Sequence, residues 1–223
     1  MDIAEKLFQL ESELPENVRL LAVSKFHSES VIMEAYNAGQ RIFGENRVQE
    51  LLPKHEHLPE DIEWHFIGHL QANKVKYIAP FIHTIQSIDS LKLAETVNRE
   101  ASKLNRKIRV LLQIHIAQEE QKFGFSYEEA EDLIKNGALN LMTNLDVSGL
   151  MGMATLTDDQ TQIRDEFNRL HRFFQQIKAD YFANSSSFKE LSIGMSDDYQ
   201  IAVKEGSTMI RLGSKLFGSR SVL

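Results

Sequence analysis

Residues 18–39 read VRLLAVSKFHSESVIMEAYNAG. The apolar run from Leu20 to Val23 predicts a strand over 18–25. Val31, Ile32, Ala35 and Tyr36 then recur at helical spacing up to Gly39, which predicts a helix over 28–39. This is one βα unit, and the rest of the chain repeats it. Strands are predicted at 41–46 (RIFGEN), 63–68 (EWHFIG), 82–88 (IHTIQSI), 109–116 (RVLLQIHI), 145–154 (LDVSGLMGMA), 190–196 (ELSIGMS) and 208–213 (TMIRLG). Helical patterns fall between them: a helix reaching about Lys54, one over 70–78, one capped by Asp89 or Ser90, one over 127–135, the longest over 162–178, and one starting at Asp197. Eight strands alternating with helices predict a parallel sheet, and the unbroken rhythm favours closure into a single (β/α)8 TIM barrel spanning 1–223. An extra helix at the N-terminus, with Ile3, Leu7 and Leu10 on one stripe, is expected to cover the face an eighth barrel helix would cover. An open doubly wound sheet is the structural alternative, but no G-x-G-x-x-G follows the first strand.

Composition narrows the chemistry. The 223 residues contain no cysteine, which removes disulfides, thiol nucleophiles and thiolate metal sites. A net charge of −7 argues against a nucleic-acid-binding surface. No run is long and apolar enough for a membrane span, and the opening MDIAEKLFQL is not a signal peptide, so a cytoplasmic protein is expected.

In a barrel of this kind, function gathers at the C-terminal strand ends. Those ends here carry Lys25, Gly44-Glu45-Asn46, Gly68-His69, Asp89, Met151-Gly152-Met153, Gly194-Met195-Ser196 and Gly213-Ser214. Lys25 closes an otherwise apolar strand. It reads either as a solvated terminal lysine or as a desolvated amine suited to a Schiff base. The loops after strands seven and eight are where such barrels commonly hold a phosphate, and here they are rich in glycine and serine. Ser196 could equally be a helix N-cap. Arg211 shares a face with Gly213 by the two-residue period of a strand. A lysine and a phosphate cradle brought together by barrel closure suit a phosphorylated aldehyde. Pyridoxal phosphate fits that description, and so does a phosphosugar, which keeps an aldolase in play.

The strings LLAVSK (20–25), FGENRVQE (43–50), WHFIGHLQANK (64–74), SGLMGMA (148–154), LSIGMSDD (191–198) and STMIRLGSKLFGSR (207–220) together resemble the pyridoxal phosphate homeostasis proteins, relatives of the N-terminal barrel of alanine racemase. The resemblance covers nearly the whole chain. It implies a PLP-binding barrel in which Lys25 carries the cofactor as an internal aldimine. Ser196, Gly213 and Ser214 match phosphate-binding positions, and Arg211 matches the residue facing the pyridine nitrogen. Asn46 matches a position near the ring, and His65 and Met151 match positions lining the pocket. Residues 113–124 (QIHIAQEEQKFG) depart from the family's Asn-containing version.

The same resemblance implies a carrier of pyridoxal 5'-phosphate without established turnover, in transient contact with PLP-dependent apoenzymes. A racemase needs an acid/base group on each face of the bound substrate. Its second group is a tyrosine from another subunit that also carries a further β-domain, and no such domain is expected after strand eight. The five tyrosines here fall in or near predicted helices. A racemase-like or aldolase Schiff-base enzyme is the alternative. The acidic surface favours a monomer. His83 and His115 read as satisfied core or rim histidines, and His55 with His57 as an improbable metal pair.

Overall fold

The computed structural model describes residues 2–119 and 123–218. Residues 120–122 of the divergent 113–124 segment, and 219–220 of the last motif, lie outside the described residues. The expected strands form as β1 (Arg19–Val23), β2 (Ile42–Glu45), β3 (Glu63–Phe66), β4 (Thr84–Ile88), β5 (Ile108–Ile114), β6 (Leu145–Gly152), β7 (Glu190–Ser192) and β8 (Met209–Leu212). All neighbours are parallel, and the sheet closes in sequence order, with β8 pairing β1 from Arg19–Met209 to Ala22–Leu212. Closure rules out the open doubly wound sheet.

The helices are α1 (Ile3–Glu13), α2 (Glu29–Asn37), α3 (Val48–His57), α4 (Val75–Ile78), α5 (Leu91–Lys103), α6 (Tyr127–Lys135), α7 (Gln160–Tyr181), α8 (Tyr199–Lys204) and α9 (Ser214–Phe217). The helix expected over 70–78 is a 3-10 turn at Ala72–Lys74 followed by the single turn of α4. The helix expected from Asp197 begins two residues later. Its N-cap position belongs to Asp198 rather than Ser196.

Each helix forms because its apolar stripe has the barrel wall to cover. In α7 the stripe is Ile163, Phe167, Leu170, Phe173, Phe174 and Ile177, all buried. Asp2 and Glu5 close a capping box on α1, whose Leu7 and Leu10 are buried, and α1 packs against both α2 and α9. Among the described residues, the eighth strand is followed by the single helical turn of α9, with α1 bridging the first and last units. Nearly all buried apolar side chains form one cluster between strands and helices. Leu21, Val23 and Met209 form a separate small cluster, with Ile42 and Ile67 packed against it.

Candidate functional site

Lys25 stands two residues beyond Val23 on a tight turn, half-buried. The turn is closed by His27 N–H donating to the Ser24 carbonyl at 3.1 Å. Phe26 has φ +67°, a left-handed conformation that a bulky residue adopts only when its surroundings impose it. Those surroundings come from α3. Lys54 Nζ donates to the Ser24 carbonyl at 2.9 Å, and Glu50 accepts the Phe26 N–H at 3.0 Å. One helix therefore grips the backbone on both sides of Lys25.

Beneath this grip lies a buried ion pair. Lys54 Nζ meets Glu45 Oε1 at 2.6 Å, and Ser24 Oγ donates to the same oxygen at 2.7 Å. Burial pushes the Glu45 carboxyl up, outweighing the pull of Lys54 in the other direction. Its second oxygen, Oε2, has no partner.

Two glycines near the strand ends differ in why they are there. A Cβ on Gly68 would lie 2.3 Å from the Asn46 carbonyl oxygen, so backbone packing alone demands glycine. A Cβ on Gly213 would meet only Val23, at 3.5 Å, and its φ is −112°. Neither crowding nor backbone strain requires glycine there, and the space beside it stays open. Because β8 pairs with β1, the Gly213–Ser214 turn adjoins the end of the strand that leads to Lys25. Ser196 lies on the next turn, after β7, where Asp198 accepts the Met195 N–H at 2.5 Å and is pushed up by burial. Asn46 follows β2 directly, half-buried, with its Oδ1 unpartnered.

Inside the barrel the polar groups form a chain. Arg211 is 4% exposed; its Nη1 donates to the Ser192 carbonyl at 2.7 Å and to Ser192 Oγ at 2.8 Å, and its Nη2 to the Gly152 carbonyl at 2.9 Å. Burial pushes the guanidinium down to about 10, opposed by Asp198, so it stays cationic at neutral pH. Three of its five donors are thereby used. Ser192 Oγ donates to Gln86 Oε1 at 2.7 Å, and the Gln86 amide nitrogen lies 2.8 Å from His65 Nδ1.

The structure therefore brings Lys25, Asn46, Ser196, Gly213 and Ser214 to the C-terminal strand ends, with Arg211 just within. His65 and Met151 are not among them. Met151 is buried in β6, in register with Gln113 and Ser192, and His65 is held inside β3 by Gln86. Sequence reading places Glu45 at a strand end without giving it a role, and misses Lys54, Gln86 and Ser192. A polar residue inside an apolar strand, such as Gln86 in IHTIQSI, was the available signal. At the rim, His69 pairs with Asp89 at 2.9 Å and stacks on Phe123, and the His115 ring nitrogen lies 3.0 Å from the Glu119 carbonyl.

A closed parallel barrel with its polar groups at these strand ends is the architecture of the alanine racemase N-terminal domain, and the family model so described matches residues 2–221. Curated relatives are more particular. The chain is 42% identical to a Synechocystis protein, covering 93% of this chain and 94% of that one, and 35% identical to an Escherichia coli protein, covering 98% and 97%. Both are named pyridoxal phosphate homeostasis protein, and this chain belongs to that family. The structure of PipY from Synechococcus elongatus with PLP bound matches with a TM-score of 0.88 at 37% identity, covering 97% of this chain and all of that one. Clostridium difficile alanine racemase, 16% identical with a TM-score of 0.75, shares the fold across 55% of its own length.

Proposed function

We propose that the chain binds pyridoxal 5'-phosphate on Lys25 and holds it in reserve for other proteins, without catalytic turnover of its own. The observation that carries this reading is the Lys25 turn, gripped from both sides by α3 and adjoining a glycine turn whose side-chain space is open. The family supports it, as does the PLP held by PipY.

The residues present suit the group. Lys25 Nζ would hold the aldehyde carbon of the cofactor as a Schiff base, the carbonyl oxygen leaving as water with the two protons of the neutral amine. Gly213 admits a phosphate against the backbone, and the hydroxyls of Ser196 and Ser214 donate to it. Asn46 Oδ1 and the two spare donors of Arg211 are available to the ring. His65 and Met151 shape the floor from below.

When bound, the cofactor supplies an electron sink whose strength depends on protonation of its pyridine nitrogen. A cationic Arg211 opposes that protonation, which favours storage over carbanion chemistry. Tyr36, Tyr77, Tyr127, Tyr181 and Tyr199 all lie in helices rather than at strand ends, so none is placed as a second acid/base. Among the described residues no helix is long and apolar enough to cross a membrane. The reading is completed by a cytoplasmic monomer that meets PLP-dependent apoenzymes transiently.

The test is the visible spectrum of the protein with added pyridoxal phosphate, beside Lys25→Ala. A band at roughly 420 nm, typical of the Schiff-base cofactor, is expected in the parent and absent from the variant. A chain that stays colourless sinks this reading in favour of a cofactor-free aldolase. Racemisation or cleavage of amino acids by the coloured protein would replace the carrier with an enzyme.

A further inference from the structure

At the opposite, N-terminal mouth of the barrel, Glu63 opens β3, His65 lies two residues along, and His83 immediately precedes β4. A nitrogen of each histidine and a carboxylate oxygen of Glu63 all lie within 4.8 Å of one another. His83 Nε2 is 3.6 Å from Glu63 Oε2. The two imidazole planes are within 12° of parallel, with centroids 5.4 Å apart. The independent observation is His65 Nε2. Its residue is 2% exposed, its Nδ1 is engaged by Gln86, and Nε2 has no hydrogen-bond partner. A buried ring nitrogen left in this state has lost its hydrogen bond to water without replacing it, so the site has something to gain from a ligand.

We infer that Glu63, His65 and His83 form a binding site for a divalent transition-metal ion of the zinc type. Two imidazoles and one carboxylate select zinc and its neighbours over magnesium or calcium, which prefer all-oxygen sets. Zinc–nitrogen bonds are about 2.0–2.1 Å, so the three side chains must draw together around the ion. Glu63 and His83 can do so, being only half-buried at the edge of the barrel. A fourth position remains for water.

The surrounding groups already fit this role. His83 Nδ1 lies 2.9 Å from Thr84 Oγ1, which can accept its proton and leave the Nε2 lone pair for the ion. For His65 the same requirement turns the Gln86 amide over: its oxygen accepts from Nδ1–H, its nitrogen gives up its 3.1 Å contact with Met209 Sδ, and Ser192 Oγ becomes the acceptor of its N–H. Three arginines face the cluster. Arg19 is neutralised by Glu190 at 2.7 Å and Arg109 by Asp146 at 3.5 Å, while Arg106 donates to the Ala79 and Ile82 carbonyls. Glu63 supplies the negative charge facing the ion.

The experiment titrates the full, untagged chain with zinc chloride against a chromophoric chelator, then repeats it with cobalt(II) as a spectroscopic stand-in. One zinc per chain is expected, with the intense visible bands of four-coordinate cobalt. Glu63→Gln and His83→Gln are each expected to weaken binding at least tenfold, whereas His171→Gln, on α7, leaves it unchanged. Both altered positions are half-buried, and a metal-free melting curve confirms that each variant folds. Zinc uptake undiminished in Glu63→Gln and His83→Gln, or no uptake by the parent chain, overturns the site.

Discussion

The layer between strands and helices and the space inside the barrel are built from different materials. Outside the strands the contacts are almost entirely apolar, from Trp64 and Phe66 to the Phe167 and Phe173 stripe of α7. Inside, Leu21, Val23 and Met209 make one small cluster, Met151 is buried in register with Ser192, and a chain of hydrogen-bonded polar groups runs from Arg211 to His65. Apolar contact is non-directional and sums with area, so the outer layer supplies cohesion. A hydrogen-bonded chain has direction, because each group must accept from one neighbour and donate to the next. Orientation at the strand ends is thus set from within, and stability from without.

The sharpest way to break this division is to cut a hole in the outer layer. Phe167 is fully buried, and Phe167→Ala is expected to cost roughly 3–5 kcal/mol in urea unfolding, while any folded protein keeps its affinity for pyridoxal phosphate. A change in affinity as large as the change in stability would erase the distinction.

Lys54→Met comes next, because the buried Glu45 loses its counter-charge. About 3 kcal/mol should be lost near pH 8. Glu45 already takes up a proton more readily than a free carboxyl, and the substitution raises it further. The folded variant then binds more protons than the unfolded chain, so its stability falls as pH rises and recovers as pH drops. Urea midpoints at pH 8 and pH 5 would check this; equal losses at both would mean the pair is merely packing.

His65 gives a smaller and opposite pH dependence. Desolvation holds its imidazole well below the usual value, with His83 and the neighbouring arginines acting in the same direction. Below about pH 6.5 the unfolded chain takes up a proton that the folded chain refuses, removing up to about 1.4 kcal/mol per pH unit until the folded ring titrates. Metal-free His65→Gln should flatten that slope.

The smallest effect concerns Gly213→Ala, where stability should move by less than about 0.5 kcal/mol because the new methyl meets only ordinary contact. Binding of pyridoxal phosphate should nevertheless weaken severalfold, measured by titration of its absorbance. Equal affinity would remove Gly213 from the phosphate cradle.

The fold was legible because short apolar runs alternate with helical patterns along the whole chain, and each long helix carries a periodic stripe. The 70–78 segment was misread because Ala72–Lys74 adopts the tighter 3-10 turn, which periodicity does not distinguish. Lys25, Gly213 and Ser196 could be found because strand ends are a place in the sequence. The Glu45–Lys54 pair could not, since nothing in the spacing of a strand glutamate and a helix lysine shows that both are buried around Ser24. Gln86 carries a partial signal, a polar residue within a strand run, but every residue of β4 is buried, so no alternation marks which side chains enter the barrel. The motif places His65 at the pocket, but nothing in the sequence shows that its ring is tied to Gln86 or that it lies close to Glu63 and His83.

Ring closure also sets a timetable for biosynthesis. β1 is made before the other seven strands of the barrel, yet its second neighbour is β8, joined through Arg19 and Met209. At about 5–20 residues per second, the intervening stretch takes the ribosome roughly 10–40 s to produce. Throughout that interval one edge of β1 has unpaired backbone groups, open to any other extended chain. A newborn copy is therefore most exposed to mispairing along the strand that leads to Lys25.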